Sequence, residues 1–255
     1  MIEKAVANQR PAKCQTKLTP SSLARRLLFR ELDFNVIARV SGAAVTREMP
    51  AGTILFSQSN EPTQVHFIVS GVVKLTQSTE NGPRFVLTYR GPGSLLGCLA
   101  VFGSKPHVYT ALAVKDTCVL SWTAAGFEGC LRQCPAISRN ALMIVSEHAN
   151  EAFQRVREFA SDQVEQRIAR AIQRSATVFF SDIGNPANYW LPLSRQDIAE
   201  MSGATLFTAS RVMKEWERLG ILQSGRRRFK LLDRAGLASR ANLKLSAASS
   251  ERIFS

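Results

Sequence analysis

From Val45 to Trp122 the apolar residues come in short β-rich runs, "GTILF", "VHFIVSG", "VVKLTQ", "RFVLTY", "VYTALAV" and "TCVLSW". Turn clusters such as "SQSNEPT", "STENGP" and "RGPG" separate them. Six or more strands spaced in this way predict a β-roll or jelly-roll barrel rather than a parallel sheet. Ahead of them, "SSLARRLLFRELDFNVIARV" reads as one amphipathic helix that Ser21 or Ser22 can cap. Residues 1–20 read as a flexible arm.

The pattern changes after a short helix around Gly126 to Arg132. Pro135 precedes a long stretch without Pro or Gly, in which Leu142, Val145, Ala149, Ala152, Val156 and Phe159 are spaced 3, 4, 3, 4, 3. That is the a/d repeat of a coiled coil, and it predicts that two chains meet along this helix. The competing reading lays the helix on its own barrel; a stripe this narrow and small-sided suits a helix partner better. A further helix, "SDQVEQRIARAIQRSATVF", follows, with Ser161 and Glu165 at its start.

After "YWLPL" come two helical patterns separated by Gly203, then "GILQSGRRRFKLLD", a hairpin with Gly225 at its tip. Ser194 is placed to cap the first helix with Asp197 three residues on, and Thr205 to cap the second. Ala209, Val212, Met213, Trp216 and Leu219 follow helical spacing and face a core. This is helix-turn-helix patterning. Phe207, Arg211, Lys214 and Arg218 cluster opposite that stripe, flanked by Thr208 and Ser210, with Leu206 in the same first turn.

A phenylalanine on a cationic, solvated face asks for a reason. In a major groove its ring would meet thymine methyl groups, while Arg and Lys reach guanine edges or phosphates; alternatively it packs beneath the hairpin. Arg226, Arg227, Arg228 and Lys230 suit backbone phosphates beside the groove, and Ser194 and Arg195 stand at the mouth of the motif. Residues 21–134 are expected to form the roll and its flanking helices, 135–160 the dimerisation helix, 161–237 a winged helix-turn-helix, and 238–255 a loosely ordered tail. The fold class is α+β.

Composition agrees with that picture. The 255 residues are 45% hydrophobic, enough to bury a core, and the net charge of +13 favours a polyanionic partner such as double-stranded DNA. No apolar run approaches the roughly 20 residues of a bilayer span, and the polar start carries no signal-peptide core, so a cytoplasmic location is expected. Five scattered cysteines, Cys14, Cys98, Cys118, Cys130 and Cys134, argue against a disulfide framework. Cys130 and Cys134 supply at most half a metal site, and no metal is expected.

With these residues in view, the chain resembles the bacterial CRP/FNR superfamily of transcription regulators from Met49 to Leu237. "PAGTILFSQSNEPTQVHFIVSGVVKL" is similar to the first half of the family's cyclic-nucleotide-binding β-roll and "GPGSLLGCLAVFGSKPHVYTALAV" to its second half. The heptad stretch resembles the dimer helix, and "SRQDIAEMSGATLFTASRVMKEWERLGIL" the DNA-binding motif. The resemblance implies a homodimer on a pseudo-palindromic operator, with RNA polymerase as a further partner.

The departures matter as much. After Gly97, where cyclic-AMP-binding members of the family carry Glu, stands Cys98; Val108 and Tyr109 replace their Arg-Ser pair, and Ala152 and Phe153 replace the adenine contacts. The chain is therefore expected not to respond to cyclic AMP, and its effector is open. Phe207 takes the place of the family's usual Glu, which implies a half-site changed at that base pair. Only Cys14 lies in the arm, so the iron-sulfur cluster of the oxygen-sensing branch is not expected. "TLFTASR" resembles a branch of rhizobial regulators linked to nitrogen oxides, for which haem would be the cofactor and His66, His107 and His148 the candidate ligands.

Two other classes compete. A metal-dependent cupin-like enzyme needs about three His and a carboxylate inside its barrel, and one of the three His here falls on the dimer helix. With no nucleophile elbow, phosphate-cradling loop or zinc-protease motif either, the chain is read as not an enzyme. A cyclic-nucleotide-gated subunit without DNA binding would lack the Ser194–Leu222 pattern.

Overall fold

The computed structural model describes residues 18–79, 82, 84–181 and 189–242. Most of the expected arm, with Cys14, and most of the expected tail lie outside them. The chain forms two compact units, Met1–Phe153 and Gln154–Ser255.

The first unit opens with α1 (Pro20–Leu23), a single 3-10 turn (Leu27–Phe29) and α2 (Phe34–Gly42). The single amphipathic helix expected over this stretch is thus broken. Arg26 is extended and sends Nη2 to the Val69 carbonyl at 3.3 Å, and Glu31 is left-handed. The break lets the adjacent Leu28 and Phe29 both be fully buried. Thr19, not Ser21 or Ser22, caps α1, because Pro20 takes the first helical position, where its missing N–H costs nothing.

Eight strands follow: β1 (Val45–Met49), β2 (Ile54–Phe56), β3 (Gln64–Ser70), β4 (Val73–Ser78), β5 (Arg84–Arg90), β6 (Leu95–Leu96), β7 (Thr110–Ala113) and β8 (Thr117–Thr123). The short α3 (Cys98–Gly103) precedes β7. They make two antiparallel four-stranded sheets, ordered β1-β8-β3-β6 and β2-β7-β4-β5, which form the expected roll. β3 and β8 are buried along nearly their whole length, which explains their unbroken hydrophobic runs. Beneath them Phe29 meets Phe67 edge to face at 5.5 Å, and Trp122 packs 5.4 Å from Phe127 while its indole N–H donates to the Val40 carbonyl.

α4 (Ala124–Gln133), capped by Thr123, leads into α5 (Pro135–Ser161). In the first half of α5, Ile137, Ala141 and Ile144 join the roll's core. Asn140 donates Nδ2 to the carbonyls of Leu28 and Arg30, and Arg90 of β5 pairs with Glu151 at 2.5 Å. So α5 does lie on its own roll, and that face takes in Val145 of the heptad stripe, while Leu142, Ala149, Ala152, Val156 and Phe159 of the stripe are exposed.

The second unit holds the end of α5, then α6 (Val164–Phe180), α7 (Arg195–Ser202), α8 (Leu206–Arg218), the hairpin β9 (Leu222–Gly225) and β10 (Arg228–Leu231), and α9 (Arg234–Ala241). α6 is capped by a Gln163/Gln166 box and not by Ser161, whose hydroxyl still bonds back to the Arg157 carbonyl within α5. Ile168, Ile172, Phe179, Ile198, Met213, Trp216 and Leu237 form the fully buried centre. The Trp216 indole N–H donates to Glu165, which also pairs with Arg240 of α9. α9 takes in residues assigned to the loose tail: its Ala- and Ser-rich composition hides that Leu237 and Ala241, one turn apart, are both buried.

Candidate nucleic-acid interface

α7 and α8 owe their meeting angle to their ends. Ser194 Oγ accepts from the Asp197 N–H at 3.1 Å while Asp197 accepts from the Ser194 N–H at 2.9 Å, a reciprocal cap. Gly203 stops α7 at φ +63°, a conformation glycine adopts without strain. Thr205 then starts α8 by accepting from the Thr208 N–H at 3.1 Å.

On α8, Ala209, Met213 and Trp216 are buried and Val212 half-buried, whereas Phe207, Arg211, Lys214 and Arg218 all stand exposed on the opposite face. Phe207 is 78% exposed, so it does not pack beneath the hairpin. Leu206 is also exposed, and Thr208 and Ser210 are half-buried at the margin. Leu219, expected in the core stripe, is 50% exposed: it is the C-cap, where helical periodicity has ended.

Gly225 pairs with Arg228 across the hairpin, so the tip is Arg226–Arg227 and not Gly225, with Arg227 in the left-handed region at φ +57°. The four cations of the hairpin divide. Arg226 and Arg227 are exposed at the turn, while Arg228 and Lys230 lie over the Trp190 ring at 4.6 and 5.1 Å from its centroid. Arg195 is held by Ser224 Oγ at 3.1 Å and stands 3.9 Å from Glu217. Glu217 also accepts from the Ser224 N–H at 2.7 Å, tying the hairpin to α8. A concavity of about 280 Å³ beside Ser194, Arg195, Ser224 and Arg227 separates the cap of α7 from the hairpin. Trp190 and Glu217 are neighbours of these cations that sequence patterning did not single out, since Trp190 meets Arg228 and Lys230, and Glu217 meets Arg195, only in the folded chain.

The expected effector residues are gathered only in part. Gly97 and Cys98 start α3, and a Cβ at Gly97 would reach 2.7 Å from the Gln64 carbonyl oxygen. Burial pushes the Cys98 thiol up to about 11, and burial, with the nearby Cys98, pushes the Tyr109 hydroxyl up to about 12. Val108, Ala152 and Phe153 are exposed instead. Phe56 stacks on His107 at 3.9 Å and lies 6.0 Å from His66, whose Nδ1 is 2.8 Å from Ser121 Oγ. Burial, then Arg47 and His107, hold His66 down at about 4; burial, then Arg90, does the same to His148 on α5. No group of three or more His, Cys, Asp or Glu able to hold a metal occurs among the described residues, and no helix among them is long and apolar enough to cross a membrane.

Comparison with known proteins matches these two regions separately. A family model described as the cyclic nucleotide-binding domain matches residues 46–134, and one described as the Crp-like helix-turn-helix domain matches residues 166–240. The chain is similar to a CRP-like cAMP-activated global transcriptional regulator of Mycobacterium tuberculosis, 22% identical over 86% of this chain and 98% of that one. It is also similar to the transcriptional activator protein FnrA of Stutzerimonas stutzeri, 26% identical over 79% of this chain and 82% of that one. Among solved structures, the c-di-GMP-responsive global regulator CLP of Xanthomonas campestris shares the fold, with TM-score 0.67 and 19% identity over 79% of this chain and all of that one. With both modules present in the family's order on one continuous chain, the protein belongs to the CRP/FNR superfamily of transcription regulators and carries its helix-turn-helix DNA-binding domain.

Proposed function

We propose that the chain acts as a homodimer that reads a pseudo-palindromic duplex, its two α8 helices entering successive major grooves about 34 Å apart. The observation that carries this reading is the free face of α8: an exposed ring and three exposed cations, flanked by the Arg226–Arg227 tip. Arg211 and Lys214 would meet base edges, Phe207 a thymine methyl, and Ser194, Arg195 and the hairpin cations the phosphates. Pairing of two chains is supported by the heptad stripe, where Leu142 is 65% and Val156 67% exposed and Ala149 and Ala152 are open. RNA polymerase is the further partner this reading takes.

The roll is not a cyclic-AMP receptor in this reading. Cys98, 2% exposed and held as a neutral thiol, and the neutral Tyr109 offer no charge to a phosphodiester. Selection of bound duplexes from a random library, followed by gel-shift assays with variants, tests the DNA reading. Arg211→Ala should cost about 1–3 kcal/mol and relax one base position; Arg227→Ala should weaken all sequences alike and flatten the salt slope. Neither variant changing DNA affinity would refute the assignment.

A further inference from the structure

Phe159 occupies the last apolar position of the heptad stripe, yet its ring is engaged within the DNA-binding unit. A Cβ built on Gly203 would lie 2.6 Å from Phe159 Cε1 and 3.4 Å from Cδ1, so the ring already sits against the bare α-carbon of the helix-turn-helix turn. The Arg167 guanidinium lies 5.4 Å from the centroid of the same ring. That guanidinium donates Nε–H to the Ser202 carbonyl at 2.8 Å and Nη1–H to the Asp162 carbonyl at 2.8 Å. One side chain of α6 thus joins the end of α5 to the turn between α7 and α8, with the phenyl ring beside it.

The end of α5 is itself fastened. Glu158, 3% exposed, receives two hydrogen bonds from Arg174 Nη1 at 2.7 and 2.8 Å. Asp162, one turn on, lies 2.8 Å from Arg170 Nε, close enough for a strong ion pair although not aligned as a hydrogen bond. A ring on so fixed a segment is a firm support for the turn that rests on it.

We propose that Phe159 is a positioning residue for the recognition helix: with Arg167 it fixes the Ser202–Gly203 turn, and hence the angle at which α8 leaves α7. Gly203 is required twice over, for its left-handed backbone and for the close approach of the ring. Non-specific DNA binding depends on charge and tolerates a tilt of α8, whereas base reading does not, since contacting groups must be held to within about 0.5 Å and 10–20°. The clamp acts on specificity more than on affinity for phosphate. This inference rests on the DNA-binding reading above.

The test uses full-length protein carrying Phe159→Ala, Phe159→Leu or Arg167→Lys, with Val156→Ala as the stripe control. The readouts are sedimentation mass, affinity for the selected operator and affinity for random duplex. Phe159→Ala and Arg167→Lys should keep the wild-type mass and random-duplex affinity while the operator-to-random ratio falls about tenfold, a small part of the span that separates specific from non-specific binding. Phe159→Leu, which keeps apolar bulk under the turn, should recover part of that ratio. A lower mass for Phe159→Ala with an unchanged ratio would make Phe159 a dimer contact and overturn the clamp. An unchanged mass and ratio in all three variants would overturn it as well, while the DNA-binding reading stands. Failure of the wild-type protein to prefer any duplex would sink both.

Discussion

Truncating Phe207 separates reading from folding. A buried Phe covers about 150–250 Å²; with the ring 78% exposed, about 150 Å² remains available, and a base-pair edge would cover roughly half of it. At about 25 cal/mol per Å², that area is worth about 1.9 kcal/mol, of which Phe207→Ala forfeits about 1.5, close to a tenfold loss in operator affinity. The folded chain should barely notice: an exposed Phe→Ala change in a helix shifts stability by less than about 0.5 kcal/mol, with helix propensity moving in its favour. Replacing the contacted thymine by uracil removes only the methyl group and should cost the wild type about 0.8 kcal/mol and the variant almost nothing. Fluorescence anisotropy on the four combinations measures that coupling. An equal thymine-to-uracil penalty in both proteins, at every thymine of the half-site, shows that the ring does not read the methyl and removes the reason given for its exposure.

Val156→Glu places a charge on the exposed stripe and should convert dimer to monomer in sedimentation runs; an unchanged mass puts the subunit contact elsewhere. Gly203→Ala should destabilise the protein by about 1–2 kcal/mol for its left-handed backbone, with a further loss from the overlap with Phe159 that the double variant with Phe159→Ala recovers; chemical denaturation checks both. His66 titrates at about 4 when folded against 6.5 when unfolded, so the unfolded chain takes the proton first. Stability is full above pH 6.5 and falls as pH drops towards 4. His66→Asn should therefore remove about 2 kcal/mol of the stability otherwise lost between about pH 7 and pH 5, and an identical pH profile refutes this assignment. Cyclic AMP at millimolar concentration should produce no heat in titration calorimetry and no change in operator affinity; saturable binding overturns the reading of Cys98 and Tyr109.

Much of this protein was legible from local pattern alone. The roll's strands, the long helix after Pro135, the reciprocal Ser194–Asp197 cap and the split of α8 into a buried and a cationic face follow from side-chain period and short-range hydrogen bonding, which act within one element. What escaped depends on partners far along the chain. The break at Arg26 follows from the Val69 carbonyl, α9 from its packing on α6 with Leu237 and Ala241 buried, the sorting of the hairpin cations from Trp190, and the placing of Arg195 from Glu217 and Ser224. Phe159 shows the limit most plainly: its spacing places it in a stripe, but which surface its ring covers was decided by Gly203, a residue 44 positions away in sequence that only the folded chain brings to its side. Period constrains the face a side chain shares; contact between distant segments decides what that face meets.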